Sequence, residues 1–242
     1  MKTLVIIPSR LSATRLPGKP LLKINGISII SHVFKRAESA NIGEVIVAAE
    51  DQEIVDDVKK NGGNAILTHK NHKTGTDRIF EAFSILSVKD IDFIMNVQGD
   101  EPEIDIKDIK NLNYKMMKNN TKFGTLAAQI LDPKMYENEN IVKVKTKEPL
   151  KENQFPHADN FLRKTKDKIN IYHHIGIYCY GVETLKKIIS LKQSKNEIIN
   201  RLEQLRALEN NISINVGLAK SSPIGIDTEE DYLAIKKIME YK

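Results

Sequence analysis

A chain of 242 residues with 40% apolar and 29% charged side chains can bury a substantial core, as one large domain or two small ones. Its net charge of +5 comes from 37 Lys+Arg against 32 Asp+Glu without a long basic block, and aromatics are only 6%. That pattern disfavours a nucleic-acid module, which would show a basic stripe with interleaved stacking residues, and leaves small anions as natural ligands. The single cysteine, Cys179, excludes an intrachain disulfide and suits a reducing cytoplasm. No stretch approaches the ~20 apolar residues of a membrane span. The short apolar run before Pro8 does not make a signal-peptide core.

In chain order, "TLVIIP" (3–8) is a continuous apolar run, expected of a strand covered on both faces. Residues 27–41 place Ile29, Ile30, Val33, Phe34 and Ala37 at helical spacing. "EVIVAA" (44–49) predicts a strand, and 51–63 a helix with acids early and a Lys-Lys-Asn-Gly-Gly finish. A short strand (64–68), a helix (74–86), a buried strand (92–98) and a helix (104–119) continue the alternation. Such alternation specifies an α/β fold with a mostly parallel sheet and helices on both faces. The second half is less regular. Strands are expected at 124–130, 140–146, 172–180 and 212–218, and helices at 182–191 and around 196–210. The lysine-rich 147–170 segment has no clear periodicity, and a last helix starts after Thr228, with Asp231 placed for a capping box. No repeat or linker divides the chain, so residues 1–242 read as one α/β domain with a β-rich excursion over about 125–220.

In open α/β sheets ligands bind beyond the carboxyl ends of the strands, and four groups of polar residues lie there. The loop 9–19 carries Arg10, Arg15 and Lys19 among Pro8, Pro17, Gly18 and Pro20 directly after the first strand. Three cations so close repel one another, which suits a polyphosphate; a solvated basic loop is the plain alternative. The loop is neither a GxxxxGK[ST] nor a GxGxxG motif, and neither occurs anywhere in the chain. "NVQGDEP" (96–102) puts Asp100 at the tip of a buried strand, where a carboxylate facing phosphates suits Mg²⁺; an acidic turn is the alternative. "GIDTEEDY" (225–232) offers Asp227 as a second ligand, or as an ordinary residue before a helix cap. A fourth set, Arg78, His174, Glu203, Gln204 and Arg206, could hold a hydroxylated acid. Routine helical pairs Arg78–Glu81 and Glu203–Arg206 are the competing reading. His69 and His72 lack a third nitrogen or a thiolate for zinc, and no GxSxG elbow is present.

Taken together, "IPSRLSATRLPGKPL", "HKTGTDR", "NVQGDEP", "HHIGIYCY", "LEQLRALEN" and "GIDTEED" stand in an order and at separations that resemble the 3-deoxy-manno-octulosonate (Kdo) cytidylyltransferases. The resemblance runs from residue 4 to about 232. It implies a Rossmann-like nucleotidyltransferase sheet with a smaller β-rich subregion for sugar binding and dimerisation, and a homodimer. It also implies a reaction in which CTP and a 3-deoxy-octulosonic acid give the CMP-sugar and pyrophosphate for lipopolysaccharide synthesis. By the same resemblance Arg10, Arg15 and Lys19 hold the triphosphate, and Asp100 and Asp227 bind Mg²⁺, with Arg10, Lys19 and both aspartates at the chemistry. Pro8, Ala48, Thr74, Gly75, Asp77 and Gln98 would meet the nucleotide. Arg78, Gln98, Arg163, His174, Tyr178, Glu203 and Gln204 would form the sugar-acid pocket.

One stretch departs from the pattern. Where the family has phenylalanine-serine-arginine and then a proline-rich segment, this chain has "NFLRKTKDK" (160–168), with Leu162 in place of serine. A changed acceptor, such as 8-amino-3,8-dideoxy-octulosonate or another ulosonic acid, therefore stays open. So does a reading from another class, a non-catalytic nucleotide-binding regulator.

Overall fold

The computed structural model describes residues 1–12, 15–223 and 225–241. Part of the cationic loop, residues 13–14, lies outside them. The chain opens with β1 (Thr3–Ser9), a 3₁₀ turn (Lys19–Leu21) and a small hairpin of β2 (Lys23–Ile24) and β3 (Ile27–Ser28). There follow α1 (Ile29–Ser39), β4 (Gly43–Ala49), α2 (Gln52–Lys60), β5 (Ala65–Leu67), α3 (Gly75–Leu86), β6 (Phe93–Asn96) and α4 (Ile106–Asn119). The second half holds β7 (Phe123–Ala128), β8 (Lys143–Thr146), β9 (Ala158–Leu162), β10 (Ile171–Gly181), α5 (Val182–Ser190), α6 (Lys195–Asn200), α7 (Leu205–Glu209), β11 (Asn215–Leu218) and α8 (Glu229–Glu240).

The main sheet runs β11-β7-β10-β6-β1-β4-β5. β1 pairs in parallel with β4 and β6, β4 with β5, and β7 with β11, whereas β10 is antiparallel to both its neighbours. β1 shows why its apolar run is unbroken. Successive side chains leave a strand on opposite faces. Val5 and Ile7 pack with Ile30 and Phe34 of α1, Ile54 of α2 and Leu112 of α4. Leu4 and Ile6 pack on the other face with Ile79 of α3 and Leu185 of α5. Both faces are covered, so both sets of positions must be apolar.

β10 contains a bulge between Ile175 and Tyr178 and changes partner there. Tyr178–Gly181 lie beside β6, whereas Ile171–His173 lie beside β8, and β8 carries β9 as a further antiparallel strand. The β-rich excursion is thus continuous with the main sheet through β7, β10 and β11.

Three local expectations need correcting. The segment around 196–210 is two short helices, because Arg201 adopts a left-handed φ of 52° that ends α6. Residues 27–28 belong to the hairpin, with Ser28 capping α1 through Ser31 N. Finally, 147–170 contains a strand, β9, whose consecutive residues Asp159 and Asn160 are both exposed and break the alternating pattern a strand would show.

Candidate active site

Because β1, β4, β5 and β6 run parallel, their carboxyl ends share one edge of the sheet, and a cavity of about 310 Å³ opens there. From the end of β1 and its loop come Pro8, Arg10, Arg15 and Lys19. Thr74, Gly75 and Arg78 reach it from the start of α3, Gln98 and Asp100 from the turn after β6, and Asp227 from just before α8.

At its centre Lys19 Nζ lies 2.6 Å from Asp100 Oδ2 and 3.5 Å from Asp227 Oδ1, and donates to the Ile226 carbonyl. Arg15 pairs with the other oxygen of Asp227 at 2.9 Å. The backbone brings the two acids together: Ile226 N donates to the carbonyl of Asp100 at 3.0 Å. Asp227 sits immediately before Thr228, which caps α8 in a capping box with Asp231. Gly99 is required by close approach, since a Cβ there would lie 2.9 Å from the Pro8 carbonyl oxygen. Gly18, at φ 70°, supplies the left-handed residue that turns the loop into its 3₁₀ segment and presents Lys19.

The loop is tied to the neighbouring strand end. Leu11 N donates to Asp51 and the Ser12 hydroxyl to Glu50, the residues directly after β4. Glu50 in turn holds Arg78 at 2.6 Å in a buried pair, while Arg78 also donates to the Thr68 hydroxyl and the His69 carbonyl. The helical pair expected between Arg78 and Glu81 is absent, since Glu81 instead binds His72 and the His69 amide. Likewise Arg206 pairs with Glu197, not with Glu203.

Glu203 is thereby left for the second cluster. It lies beside Thr74 and Thr76, its Oε1 is buried without a hydrogen-bond partner, and burial raises its pKa. Tyr178 is near it, packed 5.3 Å from the His174 ring. His174 is buried, bonds Thr125 Oγ1 at 3.0 Å, and is pushed by burial down to about 3, so the ring is neutral at pH 7. Gln204 is buried next to Glu203. Arg163, directly after β9, does not line the first cavity but lies close enough to Arg15 and Asp227 to feel their charges. Asp77 closes the capping box with Thr74 at the start of α3. Of the expected nucleotide contacts, Ala48 is the one buried away from the cavity, within β4 and opposite Pro8 in register. Leu162 lines a separate cavity with Asn196, Asn200 and Leu208.

Asp100 and Asp227 fit a divalent metal by donor chemistry. Two convergent carboxylates on a wall that also carries Arg10, Arg15 and Lys19 are the kind of oxygen set Mg²⁺ takes, its remaining positions usually going to phosphates and water. Among the described residues no three His, Cys, Asp or Glu side chains form a self-sufficient cage, so such an ion would need its substrate's oxygens.

Several contributors were invisible in the sequence. Lys73 and His72 line the cavity beside Thr74, in a segment where the sequence points to Thr74, Gly75, Asp77 and Arg78 and offers His72 only as a zinc ligand that is then rejected. Glu101 lies within the quoted "QGDEP". Burial, with Asp100's charge adding, pushes its carboxyl up to about 8, and its Oε2 has no partner. Nothing in the sequence marks a glutamate beside a proline turn as buried.

The fold, the strand-end cations and the paired acids define a nucleotidyltransferase of the α/β class. The sequence profile of the cytidylyltransferase family matches residues 4–214. The chain is 41% identical to the 3-deoxy-manno-octulosonate cytidylyltransferase of Rhodopseudomonas palustris (strain BisB18), covering 99% of this chain and 98% of that one. It is also 41% identical to the protein of the same name from Thermodesulfovibrio yellowstonii, with 99% and 98% covered. A solved CMP:2-keto-3-deoxy-manno-octonic acid synthetase complexed with CTP superimposes with a TM-score of 0.88 at 32% identity, covering 100% of this chain and 99% of that one. The chain belongs to the cytidylyltransferase family, among the 3-deoxy-manno-octulosonate cytidylyltransferases.

Proposed function

We infer that this chain is the enzyme that transfers the cytidylyl group of CTP to 3-deoxy-manno-octulosonate, giving CMP-Kdo and pyrophosphate for lipopolysaccharide assembly. The observation that carries it is the convergence of Lys19, Arg15 and Arg10 with Asp100 and Asp227 in one strand-end cavity. Phosphoryl-type displacement needs positioning and charge neutralisation more than a covalent nucleophile. Arg10, Arg15 and Lys19 would bind the triphosphate and stabilise charge on the departing pyrophosphate, while Thr74, Gly75 and Gln98 would hold the nucleoside. The acceptor's anomeric hydroxyl would be aimed at the α-phosphate by the second cluster. Arg163 would take its carboxylate, and Glu203, Gln204, His174 and Tyr178 its hydroxyls. Mg²⁺ held by Asp100 and Asp227 would supply Lewis-acid neutralisation of phosphate charge.

Kdo, not its 8-amino analogue, is the acceptor favoured here: of the two departures that raised the question, Leu162 and the segment after Arg163, Leu162 lines the separate cavity between β9 and α6–α7. We propose in addition a homodimer built through the 125–220 region and residence in a reducing cytoplasm. Free, fully buried Cys179 and the lack of any described helix long and apolar enough to cross a membrane support the second point.

The test is pyrophosphate release with CTP, ATP and UTP against Kdo, 8-amino-Kdo and sialic acid, with and without Mg²⁺. Release confined to CTP plus Kdo with Mg²⁺ is expected. No release with any pair would leave a nucleotide-binding regulator, and preference for another acid would move the acceptor.

A further inference from the structure

Lys143, on β8, is fully buried, yet among the described residues its ammonium makes no ion pair. It donates instead to three main-chain carbonyls, those of Asn138 and Ile141 at 2.7 Å and of Arg163 at 2.5 Å. Burial, with the charge of Arg163 adding, pushes its pKa down to about 8. A lysine kept inside against that desolvation is expensive unless its hydrogen bonds organise something.

One of the segments it fastens, the 138–141 turn, also holds the Arg163 side chain, which the end of α6 holds from the other side. The Arg163 guanidinium donates through Nε to the Asn200 carbonyl at 3.1 Å, through one terminal nitrogen to Glu139 at 3.2 Å, and through the other to Arg201 at 2.9 Å. The Glu139 carbonyl lies in the turn whose two flanking carbonyls, Asn138 and Ile141, are pinned by Lys143. The Arg201 carbonyl is aimed by that residue's left-handed conformation. A guanidinium has five N–H donors. Three are engaged among the described residues, which leaves one on each terminal nitrogen to meet a carboxylate.

We infer that Lys143 is a positioning residue for acceptor recognition: by clamping the 138–141 turn and the carbonyl of Arg163, it holds that guanidinium fixed with two N–H groups directed to the acceptor's carboxylate. This rests on the reading above that Arg163 binds the sugar acid. Lys143 itself touches no substrate, and the nucleotide loop does not depend on it.

The decisive measurement is a double-mutant cycle on Lys143→Met and Arg163→Ala, with KM for Kdo and for CTP measured separately. Lys143→Met is expected to raise the Kdo KM about tenfold, the scale of one lost charge-assisted hydrogen bond, with the CTP KM within about twofold of wild type. Added to Arg163→Ala, it should raise the Kdo KM no further, because both act through one contact. If Arg163→Ala leaves the Kdo KM unchanged, the pocket reading fails. If Arg163→Ala raises it and Lys143→Met does not, or if the two effects multiply, the positioning role alone is overturned.

Should Lys143→Met not fold, the wild-type protein supplies a second test. The groups facing the ammonium are Glu137 and Glu139 of the turn, Arg163 and Lys164 after β9, and His173 of β10, which burial pushes down to about 4 and leaves neutral. Lys143 loses its charge in mildly alkaline solution, so the Kdo KM should rise as pH passes through about 8. That rise should vanish in Arg163→Ala. A flat profile in wild type, or a rise that persists without Arg163, overturns the proposal.

Discussion

Lys19 Nζ stands between two acids from distant parts of the chain, 2.6 Å from Asp100 and 3.5 Å from Asp227. A single ammonium thus offsets two carboxylates that would otherwise repel each other. The arrangement makes the acids interdependent with the cationic loop, and under the proposed roles nucleotide affinity and turnover respond separately. Asp100→Ala is expected to leave CTP binding largely intact while lowering kcat about 10²–10³-fold, the scale of removing one group that stabilises transition-state charge. CTP affinity by calorimetry and pyrophosphate release with Mg²⁺ present measure the two quantities. A near-normal kcat would remove Asp100 from the chemistry.

The Glu50–Arg78 pair is almost wholly buried and also receives the Ser12 hydroxyl. Removing one partner leaves the other charge without compensation, which typically costs about 3–5 kcal/mol. Glu50→Ala should therefore destabilise the protein by about that amount in urea denaturation, and should weaken CTP binding because the cationic loop loses one of its two side-chain ties to the end of β4. The outcome against this account is a variant as stable as wild type.

What could be read in advance follows from which signals are local. β1, β4, β6 and α1–α4 announce themselves because strands buried on both faces read as continuous apolar runs, and helices buried on one face read as stripes. The cations at 10, 15 and 19 and the acids at 100 and 227 were legible as types of residue, but only the Ile226–Asp100 backbone bond places the acids together. The helical pairs Arg78–Glu81 and Glu203–Arg206, the plain alternative that sequence spacing offers, do not form. The fold brings Glu50 from another strand end and Glu197 from a separate helix. Lys143 was hidden for a related reason, since a lysine in a strand reads as an exposed position until three carbonyls are found around it.

Gly176 lies in the bulge of β10, against the turn after β6 that carries Gln98 and Glu101. A Cβ at this position would stand 3.0 Å from both Gln98 Cγ and Glu101 Oε1. Both neighbours are side chains that can yield, so Gly176→Ala should fold with a stability loss of about 1 kcal/mol, typical of a modest steric change. Its effect should fall on function, because Gln98 moves: kcat/KM is expected to drop about tenfold or more, the sensitivity of aligned reactants to small displacements. Unfolding curves and steady-state kinetics on one preparation separate the two. A variant impaired in stability but not in kcat/KM would mean that the bulge serves only the sheet.

His174 gives a pH prediction whose sign follows from burial. Its pKa falls from 6.5 to about 3 on folding, so between those values the unfolded chain binds a proton that the folded protein excludes. Stability from this group is complete above pH 6.5 and declines as pH falls, by about 1.4 kcal/mol per unit while the difference persists. At pH 5 the loss attributable to His174 is therefore about 2 kcal/mol. His174→Gln retains a hydrogen-bonding group for Thr125 and removes the titration. The variant should be less stable than wild type at pH 7, since packing against Phe161 and Tyr178 is lost. Its stability should also decline less steeply between pH 7 and 5. Chemical denaturation of both proteins across that range decides the point, and parallel pH dependences would place the acid sensitivity elsewhere in the molecule.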